Sequence, residues 1–317
     1  MSNQALNNIP VICLMGPSAV GKTALGIRIA EQFPCEIISV DSAMVYKKLD
    51  IGTAKPTAAE QKAIPHHLID IRNVTEIYSA ADFQTDANRL ITEIRAKNKI
   101  PLLVGGTMLY FKALQSGLAL MPPANPALRQ ELQLQLEQHG ASLMHSRLQV
   151  VDPLAAQRIH PNDPQRILRA LEVYQLTGKP LTELHQTTEK NPYAFINLAI
   201  LPQSREKLHQ RIAYRFKQML AAGFIDEVRA LHQCKEVHEH LPAIKSVGYR
   251  QVWHYLEGKI DYNEMIEKSI AATRQLAKRQ LTWLRSWQPL EIFKSESSEL
   301  QKDLFAMIKK HSHYFTK

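Results

Sequence analysis

VICLMGPSAVGKT, residues 11–23, is an apolar run halted by one glycine and followed, after a second, by lysine and threonine. Its last eight residues, Gly16, Pro17, Ser18, Ala19, Val20, Gly21, Lys22 and Thr23, fit the phosphate-loop pattern in the strand-then-helix setting that pattern requires. The glycines let backbone N–H groups curl around a diphosphate, and the next helix turns its positive dipole end towards the same charge. Lys22 is expected to neutralise phosphate oxygens, and the Thr23 hydroxyl to help hold Mg2+. The competing reading is a plain glycine turn between strand and helix.

Outward from this stretch, strands and helices alternate. Val11–Met15 reads as a strand, Lys22–Phe33 as a helix and Glu36–Val40 as a second strand running into Asp41-Ser42. Ser79–Lys97 carries Ala80, Phe83, Ala87, Leu90 and Ile94 at helical spacing, and Ile100–Val104 is a third strand closed by Gly105-Gly106-Thr107. Short apolar strands between helices predict an α/β fold: a parallel, phosphate-loop NTPase-like sheet with ligands beyond the strands' carboxyl ends. Asp41 and Thr107 fall at such ends, on the rim of the phosphate loop.

Composition changes at Met121-Pro122-Pro123-Ala124-Asn125-Pro126, and residues 127–187 read as helical throughout. Ala194–Leu201 returns as a strand. Ser204 then caps a helix carrying Arg211 and Arg215, and 263–287 forms a last long helix. The expected organisation is residues 1–124 as the first part of the core, 125–190 as a helical insertion, and 191–317 as the second part with basic helices. With 317 residues and 45% hydrophobic content, the chain is long enough for one large core plus a satellite. The net charge of +9 is uneven, +2 over residues 1–120 and +7 over 121–317, which points to a large polyanion at the second half.

Asp41 is a candidate general base, since a carboxylate at that strand end faces the phosphate site; an Asp capping the next turn with Ser42 is the alternative. Thr107, after two glycines, offers a hydroxyl to a ligand or an N-cap to the next helix. Ile100–Val104 ends in Gly105, not in the Asp of a motor or switch nucleotidase. Basic and aromatic residues interleave at Arg211, Tyr214, Arg215 and Phe216, at Tyr249 and Arg250, and at Lys278, Arg279, Trp283 and Arg285, as suits a nucleic acid with splayed bases. Asp226-Glu227 reads as a solvated helix face. His66-His67 and His311/His313 lack a supporting ligand set for a metal. Cys13, Cys35 and Cys234 form no spaced pair, and the polar segment Met1–Pro10 lacks the basic region of a leader, so a cytoplasmic protein without a membrane span is expected.

With these residues in view, the chain resembles the tRNA dimethylallyltransferases, also called tRNA isopentenyltransferases, over about residues 10–290. The carriers are GPSAVGKT (16–23), ISVDSAMVYKKLDIGTAKP (38–56), HHLID (66–70), LLVGGTMLYFKAL (102–114), DPLAAQRIHPNDPQRILRALEVYQLTGKP (152–180), VGYRQ (247–251) and TRQLAKRQLTWLR (273–285). Ser18 and Val20 depart from the Thr and Ser expected in the loop, which leaves Lys22 and Thr23 unaffected. No zinc-finger extension follows, so the bacterial type is expected.

The resemblance implies transfer of a dimethylallyl group from dimethylallyl diphosphate to the exocyclic N6 amine of the adenosine immediately 3′ of the anticodon, with Mg2+ and release of diphosphate. It makes Asp41 the base, with Thr107 beside it and Arg215 at the leaving group. It also implies contact with the tRNA anticodon stem-loop by Asp41, Ser42, Ala43, Met44, Thr107, Arg129, Gln165, Arg166, Ile167, Leu168, Arg169, Lys245, Ser246, Val247, Gly248, Tyr249, Arg250, Gln251, Lys278, Arg279, Gln280, Leu281, Thr282, Trp283, Leu284 and Arg285. A monomer is expected. The rivals are a small-molecule kinase using ATP on the same loop, with Asp41 deprotonating a hydroxyl, and a non-catalytic RNA-binding protein.

Overall fold

In the computed structural model, which describes residues 9–119, 121–184 and 191–311, the apolar runs pair as one parallel sheet. The N-terminal residues before Ile9, the closing turn at 189–190 and His313 lie outside the described residues. The strands are β1 (Val11–Met15), β2 (Cys35–Val40), β3 (His66–His67), β4 (Ile100–Gly105), β5 (Phe195–Leu201) and β6 (Glu291–Lys294), in the order β3-β2-β4-β1-β5-β6. Every residue of β1 and β2 is buried, because parallel strands covered by helices on both faces have no solvent side. Val11, Cys13 and Met15 enter the core on one face, and Ile12 and Leu14 that on the other, as the two-residue period of a strand requires.

Four helices belong to the first stretch: α1 (Lys22–Gln32), α2 (Ala58–Ala63), α3 (Ala80–Ala96) and α4 (Met108–Ser116). They are followed by α5 (Pro126–Val151), α6 (Pro153–Arg158), α7 (Pro164–Thr177) and α8 (Leu181–Leu184). After β5 come α9 (Arg205–Ala221), α10 (Phe224–His232), α11 (Tyr249–Leu256), α12 (Tyr262–Arg285) and α13 (Leu300–His311). Ile29 of α1 and Leu304 of α13 pack on one sheet face; Phe83 and Ala87 of α3, Val252 of α11 and Leu284 of α12 belong to the core of the other. Each such fully buried Leu, Ile or Phe contributes about 1.5–3 kcal/mol. Among the described residues, no helix is long and apolar enough to cross a membrane.

Two compact units result, Met1–Leu114 with Pro192–Lys317, and Gln115–Asn191. The helical unit starts at Gln115 and so includes the proline-rich joint at 121–126, which its own side chains hold. Buried Glu172 accepts from the Asn125 N–H at 2.9 Å and pairs with Arg169, which also donates to the Pro122 carbonyl at 2.9 Å, so the joint is tied to α7. Leu132, Met144, Leu148, Ile167 and Leu171 form this unit's core.

Register levels the functional strand ends. Met15 of β1 and Val40 of β2 both pair with Gly105 of β4, so the loops carrying Gly16, Asp41 and Gly106-Thr107 leave the sheet along one rim. A side chain at 105 has no room, since a Cβ there would lie 2.0 Å from the Val40 carbonyl oxygen. That contact explains the missing acidic residue beside β1.

Candidate active site

The cradle is built by backbone. A Cβ on Gly16 would lie 2.6 Å from the Ile200 carbonyl, and Gly21 has φ of 98°, so glycine is required at both positions. The helices α2, α3, α9 and α12 have their first N–H groups capped by Thr57, Ser79, Ser204 and Asp261; α1 starts at Gly21 with no side-chain cap and no acidic residue in its first turn. Its N–H groups and dipole stay open to an anion. Lys22 Nζ folds back to the Pro17 carbonyl at 2.8 Å. Burial, reinforced by the nearby Arg215 cation and opposed by Asp41, brings the Lys22 pKa down to about 7. Arg211 and Arg215, one turn apart on α9, reach the Val20 carbonyl at 3.3 Å and the Thr53 carbonyl at 3.2 Å. Burial lowers the Arg215 pKa, and the Asp41 carboxylate works against that shift.

Two cavities meet at this rim. The smaller, about 70 Å³, is walled by Ser18, Lys22, Thr23, Ser39, Asp41 and Arg215 among others. The larger, about 410 Å³, runs past Asp41, Thr107 and the apolar Ile212, Phe216, Met219 and Phe224 to Arg279 and Trp283. Ser18, Asp41, Thr53 and Arg215 line both. Asp41 Oδ1 accepts from the Ala43 and Met44 N–H groups at 2.8 and 3.3 Å, while Oδ2 has no hydrogen-bond partner among the described residues. Asp41 thus caps the turn through Oδ1, and its side chain lines both cavities. Thr107 Oγ1 accepts from the Ser42 N–H at 3.1 Å, clasping the turn that Asp41 caps.

A phosphate loop with an open helix end, a carboxylate at the junction and a second, partly apolar cavity suit displacement of a diphosphate by an incoming nucleophile. The profile of the IPP transferase family matches residues 44–287. The chain belongs to the IPP transferase family. The solved full-length tRNA isopentenylpyrophosphate transferase of Bacillus halodurans is 35% identical to it with a TM-score of 0.71, 96% of each chain being covered. The tRNA delta(2)-isopentenylpyrophosphate transferase of Staphylococcus epidermidis is 34% identical with a TM-score of 0.68, over 95% of this chain and 99% of that one. A eukaryotic dimethylallyltransferase described as acting on tRNA is 27% identical with a TM-score of 0.74, over 94% of this chain and 77% of that one. The enzyme is thus a prenyltransferase with a phosphate-loop NTPase-like core.

Several expected positions turn out differently. Lys278, Arg279, Thr282 and Arg285 stand outward on α12 and Trp283 is half-exposed, but Gln280 and Leu284 point inward. Lys245 and Arg250 are exposed, whereas Tyr249 and Gln251 are buried. Of the interleaved aromatics, Tyr214 and Trp283 reach solvent, while Phe216 and Tyr249 belong to the core. In the helical unit Ile167 is buried and Arg169 pairs with Glu172; Arg129 pairs with Glu172 as well but stays 49% exposed, and Arg166, paired with Asp163, is 74% exposed. Glu227 is not a solvated carboxylate. It accepts from the Asp50, Ile51 and Gly52 N–H groups at 3.0, 2.7 and 3.2 Å and from the Tyr249 hydroxyl at 2.6 Å, fixing the loop whose Thr53 carbonyl holds Arg215. His67 Nε2 bonds Glu36 at 2.9 Å.

The Thr23 hydroxyl, which lines the smaller cavity, has no hydrogen-bond partner among the described residues and is an oxygen donor of the kind a divalent ion prefers. Thr23 would help hold a divalent ion, which would add positive charge beside a bound diphosphate. The one cluster of potential ligands elsewhere among the described residues, Glu239, His254 and Glu257, holds the Lys259 ammonium instead.

Proposed function

We propose that the enzyme transfers the dimethylallyl group of dimethylallyl diphosphate to the exocyclic N6 amine of the adenosine immediately 3′ of the anticodon in tRNA, releasing diphosphate. The observation that carries this reading is the pair of cavities sharing Asp41, with the phosphate loop on one side and space for a nucleobase on the other. The relatives described as tRNA isopentenylpyrophosphate transferases support a tRNA acceptor and a prenyl diphosphate donor.

The amine is a poor nucleophile, because its lone pair is delocalised into the purine. As its nitrogen bonds the allylic carbon, the carbon–oxygen bond to diphosphate breaks, and Asp41 Oδ2 takes the amine proton. Such base assistance contributes about 10²–10⁴-fold. Charge growing on the departing diphosphate is met by Lys22, by the uncapped N–H groups of α1 and by Arg215. Thr107 orients the turn behind the base. Thr23 would help hold Mg2+, which would supply further positive charge to the diphosphate. The apolar wall of Ile212, Phe216 and Met219 shelters the prenyl carbons from water. The adenosine has to leave its stack to enter, at a cost of a few kcal/mol.

The outward cations of α12 and Arg166 of α7 are assigned to the anticodon stem-loop. The enzyme acts as a monomer in the cytoplasm. Diphosphate release that requires both dimethylallyl diphosphate and tRNA tests this; phosphate transfer from ATP to a small hydroxyl compound, with no such release, would favour the kinase.

A further inference from the structure

We propose that Gln280 is a positioning residue that sets the spacing between the diphosphate cradle and the acceptor side of the site, an inference that rests on the transfer reading above. Gln280 lies on α12 with Lys278, Arg279 and Thr282 exposed around it, yet it retains only 7% exposure. A buried primary amide has to place both a donor and an acceptor. Its Oε1 accepts from the Ser18 N–H at 2.8 Å, and its Nε2 donates to the Gly106 carbonyl at 2.9 Å. The opposite amide orientation would set N–H against N–H and oxygen against oxygen, so the network fixes it.

Both partners belong to the reacting region. Ser18 is in the phosphate loop and lines both cavities; Gly106 precedes Thr107, which clasps the turn capped by Asp41. Contact is tight enough that a Cβ at Gly106 would lie 2.4 Å from Gln280 Nε2. One amide therefore ties the loop that holds the leaving group to the turn that faces the nucleophile. The Ser18 N–H, spent on Gln280, also stands apart from the groups left open to phosphate. Methionine matches the length and shape of glutamine but satisfies neither partner.

Misplacing reacting groups by about 1 Å costs on the order of 10²-fold in rate. Gln280→Met is accordingly expected to lower kcat about 10–100-fold at saturating dimethylallyl diphosphate and tRNA. Its tRNA Kd, by fluorescence anisotropy, should stay within about threefold of wild type. Should Q280M fold poorly, Q280N, which keeps the amide but withdraws it by one methylene, is expected to show the same split. Unchanged kcat per folded molecule, or a loss confined to tRNA affinity, overturns the proposal; the latter makes Gln280 an RNA contact. The wild-type enzyme run alongside separates the two claims. Its failure to transfer refutes the function, whereas wild-type transfer with an unaffected Q280M refutes only the positioning.

Discussion

Lys22 and Asp41 share a wall, yet the environment acts on the lysine through two opposed neighbours. Burial and Arg215 push its pKa down to about 7 and Asp41 pulls it up. A diphosphate in the cradle adds negative charge and raises that pKa, so the complex holds more protons than the empty site above neutrality. Affinity for inorganic diphosphate is expected to fall as pH rises from about 7 towards 10, an effect of Lys22 that K22M loses. Calorimetry near pH 8.5, in buffers of differing ionisation enthalpy, should report more proton uptake for wild type than for K22M; equal uptake would contradict the assignment. These two residues were legible in the sequence because their signals are local, a loop pattern and a strand end. Glu227 was not. Its backbone partners lie some 175 residues earlier, and nothing in Asp226-Glu227 itself distinguishes a solvated helix end from a carboxylate wrapped by another loop.

At the scale of elements, the loop at residues 50–53 depends on α10, since one Glu227 carboxylate takes three successive N–H groups and the Tyr249 hydroxyl. Glu227→Ala leaves those donors to water and is expected to cost about 2–3 kcal/mol in urea denaturation. Prenyl transfer should fall as well, because Thr53 releases Arg215; unchanged stability would show that solvent replaces the carboxylate at no cost. Helix α12 carries the complementary prediction. Lys278→Ala and Arg285→Ala should each reduce the slope of log tRNA affinity against log salt by about 0.7–0.9, as expected for one lost phosphate contact. Wild-type slopes in both variants would turn this helix away from the RNA. Elements with strong periodicity were readable: β1 and β2 as apolar runs, α3 and α9 from Ser79 and Ser204 at their starts. The edge strands β3 and β6 were not, since two histidines and the largely exposed Glu291–Lys294 gain strand geometry only from the neighbours they pair with.

Across the whole molecule, the rim exists because β1, β2 and β4 end level on one sheet. The sequence supports that convergence through strand–helix alternation, but the depth of the cavities and the inward turn of Gln280 depend on how α9 and α12 pack. The same holds for the helical unit, where the pairing of Arg129 and Arg169 with one buried carboxylate, Glu172, depends on how α5 and α7 pack. In the proposed transfer, the carboxylate shared by two cavities takes the amine proton. The most direct test of this step is the nucleoside mass profile of unmodified tRNA incubated with Mg2+, dimethylallyl diphosphate and either wild-type enzyme or Asp41→Ala. Wild type is expected to convert adenosine to N6-isopentenyladenosine, with D41A slower by about 10²–10⁴-fold at nearly unchanged tRNA affinity. No isopentenyl gain with wild type, or an equal rate in D41A, would contradict it.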